Sequence, residues 1–560
     1  MGRRRRAGAS QAGPKPSAAR SVFRPEAVPP ARWLLAAAGI AAAALLVFGP
    51  SLRFDFVSWD DSRYVTENPW IRGWTFENLR HIFTQPYFVS YMPLQLVSYV
   101  LDYSLWGLQP FGYHLQQILL HALDSVLAFE LTRRLFGRFW LGAIAGLFFA
   151  LHPSHVESVA WVSARKDVLS AAFLIPAVLF YLSARGERSL RMRPYVASVV
   201  FFTLAVLSKV NVVVMPLFLV LVDLAVLKLP RRDGRWWMQV VGSKVPYGVL
   251  GLGITVVNWI VEVKTKAEYA RDPVRYLVLK GRTAWDYLAH LTGVPRLNPI
   301  YDTPAISLDA GSVLVSALGL LVLPALVWLG FRRRDWILAR GAGWIFVMLL
   351  PAVFFPVPTY LADRYLYLAA LGSCWLLAAA ILALRSRLQP AALRAVAAVL
   401  LAGAVSWFFA SRTARYNQVW ANSESLWSYT IQASQDFRAY NNLARVRMEQ
   451  NRWDDAERLF KLGARQKNVT SWDGLTAVYY KTGRYADALQ ANDRAFALHA
   501  LKEEDPMERA ELSYKRGTTL LALNRFDEGI ASLEEALRLN PRHADARRML
   551  DSALALKRGG

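Results

Sequence analysis

Apolar residues dominate eleven stretches of the first 410 positions: about 33–50, 113–132, 139–153, 168–184, 194–209, 211–228, 240–261, 311–331, 341–359, 365–384 and 393–410. Most approach the ~20 residues that a helix needs to cross a bilayer, and polar breaks separate them. They predict a polytopic helical membrane domain. Two longer segments between the runs, 51–112 and 262–310, are aromatic-rich and contain partly apolar stretches, Tyr87 to Leu105 and Tyr276 to Leu291. These read as helices lying in the membrane interface or dipping into it. After about residue 420 the pattern becomes polar and helix-forming.

That tail repeats itself. Its turns read Asn451-Arg452-Trp453, Gly483-Arg484-Tyr485 and Asn524-Arg525-Phe526, and three residues after each aromatic stands a small residue: Ala456, Ala488 and Gly529. Twelve positions earlier are Ala444, Thr476 and Gly517, and seven later Gly463, Ala495 and Ala536. Small residues at these offsets let paired helices approach closely, as in tetratricopeptide repeats of ~34 residues. The spacings here are 32 and 41, the longer one absorbing an insertion near Lys502 to Arg509. Pro541 closes the third repeat, and 542–557 is expected to be a capping helix.

Charge adds a direction. The chain is 54% hydrophobic and 19% charged, which excludes a disordered chain and argues against an ordinary soluble enzyme. Its net charge is +24, yet the segments 1–32, 132–138, 185–193, 228–235, 332–340 and 385–394 alone hold 26 Lys or Arg against 4 Asp or Glu. All six flank apolar runs. Basic loops stay in the cytoplasm, so the excess reports topology, and nucleic acid is not expected as a partner. The first run, 33–48, reads as a retained anchor behind a cytoplasmic amino-terminal tail. An odd number of crossings then puts 51–112, 262–310 and the repeats outside, and Ala/Arg richness favours a bacterial cell membrane with a periplasmic tail. Cys374 is the only cysteine, so no disulfide within the chain, zinc ribbon or CxxC pair exists.

There is no HExxH, Walker A or GxSxG motif. What remains is acid–base chemistry on the outer side. Asp60 and Asp61 sit about ten residues beyond the first span among aromatics, where desolvation and mutual repulsion raise a carboxylate pKa and suit it to be a general base. A turn or helix cap is the structural alternative. At the outer end of the third span, His152-Pro153-Ser154-His155-Val156-Glu157 leads to Arg165-Lys166-Asp167. The two His are weak metal candidates, since Pro153 breaks the helical register, and no metal site is assigned. Arg165, Lys166, Lys209 and Arg364, the last in Asp363-Arg364-Tyr365, are cations on a side where topology does not call for them. Snorkelling to lipid headgroups is their structural alternative. Together these groups suit a lipid-phosphate-linked sugar, whose phosphate lies at headgroup depth: cations stabilise the departing phosphate while an Asp takes a proton from an acceptor hydroxyl.

The run from His152 through Ser163-Ala164-Arg165-Lys166-Asp167 to Ser170 resembles the hallmark of bacterial relatives of the transmembrane and tetratricopeptide-repeat O-mannosyltransferases, which are GT-C-fold glycosyltransferases. The resemblance extends over about 54–540 through Trp59-Asp60-Asp61, Tyr113-His114 to His121, Ser208-Lys209, Pro295 to Tyr301, Asp363-Arg364-Tyr365 and the repeats. It implies an all-α fold: a GT-C-type membrane domain over 33–415, with a basic tail 1–32 before it and a repeat domain 422–557 after it. It also implies a polyprenyl- or dolichyl-phosphate sugar donor, inversion at the anomeric carbon, Asp60 or Asp61 as base, and Arg165, Lys166, Lys209 and Arg364 as phosphate contacts. His152, His155, Glu157, Asp167, Asp363 and Tyr365 are further site candidates. Gln117 stands where relatives often carry Asn, and Tyr91-Met92-Pro93-Leu94 lacks an Arg that some have, so mannose is one option among sugars. The acceptor expected is a protein or peptide presented by the repeats, with membrane lipids around the spans; a divalent metal is left open. The competing readings are a non-catalytic membrane scaffold for protein assembly and a transporter, the latter needing mid-bilayer polar residues.

Overall fold

The computed structural model describes residues 23, 25–88, 90–187, 189–227, 234–262, 272–354, 359–386, 391–500 and 505–559. Most of the basic tail 1–32, parts of the basic segments 228–235 and 385–394, and the start of the repeat insertion lie outside the described residues. Among those described, extended pairing is confined to two isolated bridges, Tyr87–Ser90 and Arg185–Leu190. The fold is all-α.

A helix stands at each of the eleven apolar runs. Seven are long and apolar enough to cross a membrane: Pro30–Arg53, Val162–Ala184, Gly234–Ile260, Ala310–Arg333, Trp336–Phe354, Asp363–Leu384 and Leu393–Trp420. One further apolar pair, Phe139–Leu151 and Pro153–Ala160, is bent by 50° at the break between them, the shape of a broken crossing or of a re-entrant loop. Met192–Ser208 and Val210–Val226 are apolar but shorter. Pro110–Phe136 is long enough, yet it carries His114, Gln117, His121 and Asp124. All four are buried, so the polar side of this helix faces protein. The eleven expected spans, some of them short of ~20 residues, thus stand as helices of mixed length, seven of which reach crossing length among the described residues.

The direction of these helices agrees with the charge pattern. At one end Arg133 reaches the backbone oxygen of Glu26, Arg340 donates to the Leu135 carbonyl at 2.9 Å, and Arg185 bonds Gln239. These are the basic loops. At the opposite end the loop after the first helix bonds the start of the repeat domain, and Asn258 bonds the backbone of Tyr91. The two partly apolar outer stretches are helices, Pro93–Trp106 and Pro273–His290. Within the apolar domain glycines set the closest approaches. A Cβ on Gly372 would lie 2.7 Å from the Gly341 carbonyl, so helices Trp336–Phe354 and Leu366–Ser386 meet backbone to backbone.

The repeat domain begins with Ser423–Thr430. Three antiparallel pairs follow: Phe437–Glu449 with Trp453–Ala464, Val469–Lys481 with Tyr485–His499, and Pro506–Ala522 with Phe526–Leu539. Ala544–Gly559 caps them. Each pair turns through a left-handed residue, Asn451, Gly483 or Asn524, with φ between 58° and 76°. The next amide closes back on the helix, Arg452 to Arg447, Arg484 to Tyr479 and Arg525 to Leu520. That is the same six-residue C-cap three times over, and Asn and Gly tolerate its left-handed position best. Ala444, Ala456 and Ala488 are fully buried between the helices, as their spacing predicts. Asn468, first residue of an Asn-Val-Thr triplet, is buried and caps the next helix through Ser471 N–H.

Candidate active site

The acidic doublet splits into two roles. Asp61 is 1% exposed, and its carboxylate accepts Val57 N–H (3.0 Å), Ser163 N–H (2.9 Å) and Ser163 O–H (2.5 Å). It ties the first outer loop to the turn Val162–Ala164. Burial nevertheless outweighs those bonds and lifts its pKa from 3.8 to about 6. Asp60 is half-buried and holds no side-chain hydrogen bond among the described residues. Its pKa is raised as well, chiefly by burial, while Lys166 and then Arg364 pull it back down.

The loop is clamped from the other side by the root of the repeat domain. Asp55 N–H donates to the Ala421 carbonyl (3.0 Å), Ser58 N–H to Ser423 Oγ (2.7 Å), and Trp427 Nε1–H to Ser58 Oγ (3.1 Å). Trp59 stacks on Trp161 with ring centres 4.6 Å apart, and Trp420 and Trp427 close in at 6.2 and 5.3 Å. Three indoles therefore fix Trp59, the residue next to Asp60.

The segment 152–167 descends in short steps rather than one helix: Pro153–His155, Val156–Ala160, Val162–Ala164, then Arg165–Ala184. Lys166 falls in the first turn of the last. Its charged neighbours are Asp167, Arg364, Asp60 and Lys209. Lys209, immediately after helix Met192–Ser208, pairs with Asp167. Arg364 lies in the turn Asp363–Tyr365 and is gripped by Glu157, through Nη1 at 2.5 Å and its backbone N–H at 2.9 Å. The Tyr365 ring lies between the two cations, 5.1 Å from Lys209 Nζ and 5.4 Å from the Arg364 guanidinium. Asp167, Lys209, Arg364, Tyr365 and Tyr367 line one cavity. Asp60, Lys166, Lys209 and Arg364 thus converge from four separate chain segments, each paired cation held from behind by one carboxylate.

Arg165 does not join them. It is fully buried, its guanidinium bonded to Asp102, Gln116, Gln117 and the Tyr113 carbonyl and laid over the Tyr99 ring at 4.9 Å. The expectation that it contacts phosphate is corrected: every side of it is occupied by its own protein. His152 and His155 are buried and bond the carbonyls of Leu291 and Tyr367, each at 3.1 Å. Among the described residues no three His, Cys, Asp or Glu are grouped to hold a metal ion. Asp363 is buried and receives the Tyr301 hydroxyl at 2.9 and 3.1 Å. Sequence reasoning missed Trp161, Trp420 and Trp427 as supports of the acidic loop, and Asp102 as the partner of Arg165; isolated Trp and Asp residues in aromatic-rich stretches carry no spacing signal.

Residues 85–260 match the family described as dolichyl-phosphate-mannose-protein mannosyltransferase. That stretch contains Lys166 and Lys209 but neither Asp60 nor Arg364. Protein O-mannosyl-transferase tmtc2 of Xenopus laevis is 37% identical over 155 residues, covering 25% of this chain and 18% of that protein. Human Protein O-mannosyl-transferase TMTC4 is 27% identical over 422 residues, covering 63% of this chain and 56% of that protein. The chain thus spans only part of the curated relatives it matches. Over those stretches it is similar to these O-mannosyl-transferases, in line with the resemblance of the His152 to Ser170 run. ArnT from Cupriavidus metallidurans bound to undecaprenyl phosphate aligns over 90% of this chain and 80% of its own at 17% identity, but with a TM-score of 0.36, too loose to argue from.

Proposed function

We propose that the protein is an integral-membrane glycosyltransferase of GT-C type that moves a sugar from a polyprenyl-phosphate-linked donor to an acceptor hydroxyl on a polypeptide. The observation that carries this reading is the convergence of one open carboxylate, Asp60, with Lys166, Lys209 and Arg364 at the end of the helices opposite the basic loops. By the positive-inside rule that end is the outer, periplasmic or luminal one.

The steps follow from the charges. The donor is a phosphodiester whose C1–O bond breaks as the acceptor oxygen forms a bond to C1 from the opposite face, so configuration inverts. The leaving polyprenyl phosphate gains a negative charge, which Lys166, Lys209 and Arg364 are placed to meet without reorganising. The acceptor proton passes to Asp60, whose raised pKa makes it a stronger base than a free carboxylate. Asp61, spent on three hydrogen bonds, positions the loop instead. Mannose is the first sugar to test, given what the relatives are called.

Purified protein supplied with radiolabelled polyprenyl-phosphate mannose and a Ser/Thr peptide should label the peptide. Asp60→Asn should lower kcat by about 10²- to 10⁴-fold with the thermal midpoint unchanged. Full activity in that variant would reject Asp60 as the base, and absence of any lipid-donor turnover by the wild type would favour a scaffold.

A further inference from the structure

A groove of about 450 Å³ opens on the lipid-facing surface at the inner end of the helices, opposite the reaction centre. Its size falls within the ~300–1,000 Å³ range of ligand sites. Its walls are the beginnings of the first helix, Pro30–Phe48, and of helix Phe139–Leu151. The first wall presents Arg32, Leu35, Ala36, Gly39 and Ile40, which share one helical face; the second presents Phe139, Trp140, Ala143 and Leu147. Both helices start at the inner end, so from 32 to 40 and from 139 to 147 the faces run outward together, about 12 Å at 1.5 Å per residue. That is most of the ~15 Å of hydrocarbon in one leaflet. Small residues keep the trough open: a Cβ on Gly39 would meet no atom within 4 Å. Leu35 and Trp140 flank it, 75% and 53% exposed.

Arg32 is the one ionisable residue in this lining, and it stands at the headgroup end. Its guanidinium lies over the rings of Phe139 and Trp140 at 4.6 and 4.9 Å. Rings attract a cation but offer its N–H groups no oxygen to donate to. Arg32 is exposed, and among the described residues it enters no ion pair. Glu26, the only acidic residue before it in the chain, has its carboxylate on Phe139 N–H at 3.0 Å. Arg138, exposed as well, adds a second cation at the start of the other wall. Trp140 gives the depth, since indoles collect where hydrocarbon meets headgroups. A hydrocarbon trough with an uncompensated cation at its headgroup end fits an amphiphile with an anionic head.

We infer that this groove binds one anionic phospholipid of the cytoplasmic leaflet, its phosphate on Arg32 and one acyl chain laid past Gly39 toward Leu147. Cations beside that leaflet gain about fivefold in affinity per charge from its anionic lipids. A zwitterionic head brings its own cation toward Arg32 and Arg138 and is disfavoured. The bound lipid pins the first helix to helix Phe139–Leu151, and the first helix leads directly into the loop that carries Asp60.

The test is photo-crosslinking of the full-length protein in phosphatidylcholine nanodiscs holding a trace of phosphatidylglycerol with a diazirine in one acyl chain, the labelled peptides mapped by mass spectrometry. Peptides around Gly39 and Leu147 should be labelled in excess over the lipid-facing helix Leu393–Trp420, which serves as the reference for ordinary bilayer lipid. Arg32→Ala, which removes the cation, and Gly39→Leu, which fills the trough, should each lower that labelling by about fivefold or more, and a phosphatidylcholine probe should label as weakly. Should either variant lower the thermal midpoint in detergent, the other carries the test. Labelling no greater than at the reference helix, equal labelling in wild type and variants, equal labelling by the phosphatidylcholine probe, or displacement of the lipid probe by glycerol 3-phosphate would overturn the site. No sugar donor is present, so neither result bears on the transferase reading.

Discussion

Helix Arg165–Ala184 has a cluster of charges at each end, about 30 Å apart at 1.5 Å per residue, and the two could hardly be more differently arranged. At the inner end Arg185 and Lys244 close on the single carboxylate of Asp223, which Tyr181 also approaches with its hydroxyl at 2.6 Å. Asp223 and Arg185 are fully buried, and Gln239 takes a further proton of Arg185 at 2.9 Å. At the outer end Asp60 is half-open, and the side chains of Lys209 and Arg364 keep 11% and 14% of their surface. The inner charges are spent on one another and hold helices together. The outer cations each have a single carboxylate partner, Lys209 with Asp167 and Arg364 with Glu157, and the reading proposed above gives their remaining sides to a substrate. Burial of ions alone is therefore a poor sign of function; incomplete compensation in a reachable place is a better one.

The largest effect is expected at the Asp223 cluster. Asp223→Asn strands two buried cations and should cost about 3–5 kcal/mol, seen as a lower unfolding midpoint, with turnover per folded molecule unchanged. A specific loss of activity there would erase the distinction. At the outer end Arg364→Ala should lower kcat by about 10²- to 10³-fold, and Arg364→Lys, which keeps the charge, should recover part of it. Steady-state kinetics on detergent-purified protein would settle both.

The Trp clamp gives a smaller effect. Trp427→Ala removes one face of the cluster around Trp59 and should lower kcat by about tenfold with donor KM little changed, because the misplaced group is the base and not the phosphate site. An unchanged kcat would reduce the repeat root to a tether. Smallest, and most diagnostic of the two carboxylates, is pH. Asp60 must be ionised to act, so kcat should fall as pH drops, with its acid limb above the ordinary value near 3.8. Asp61 has a folded pKa raised to about 6 by burial. Its contribution to stability is fully present below the unfolded value and is lost as pH rises through about 6. Thermal melts from pH 4 to 7 should show this decline in wild type and lose it in Asp61→Asn.

The repeat architecture and the helical crossings were legible because both are written locally. Hydropathy marks a span within ~20 consecutive residues. The small residues at Ala456, Ala488 and Gly529 mark a helix pair within one repeat. What buries His114, Gln117, His121 and Asp124 was not legible, since partners such as Ser158 and Tyr367 lie far along the chain. Lys166, Lys209 and Arg364 stood out as misplaced cations. Arg165 looked the same by that criterion, although Asp102, 63 residues away, neutralises it.

By itself, then, the chain's pattern determined an all-α membrane domain with basic loops at one end, a helical-repeat tail, and a short list of charged residues at the other end. Which of those charges stay open depends on the packing of distant segments. Asp60 and Asp61 are neighbours with the same chemistry, and what separates them is Ser163, 102 positions on, whose amide and hydroxyl turn one carboxylate into a tie and leave the other facing Lys166 and Arg364. Hydrophobicity and residue size act through near neighbours in the chain, whereas the compensation of a charge depends on distance through space.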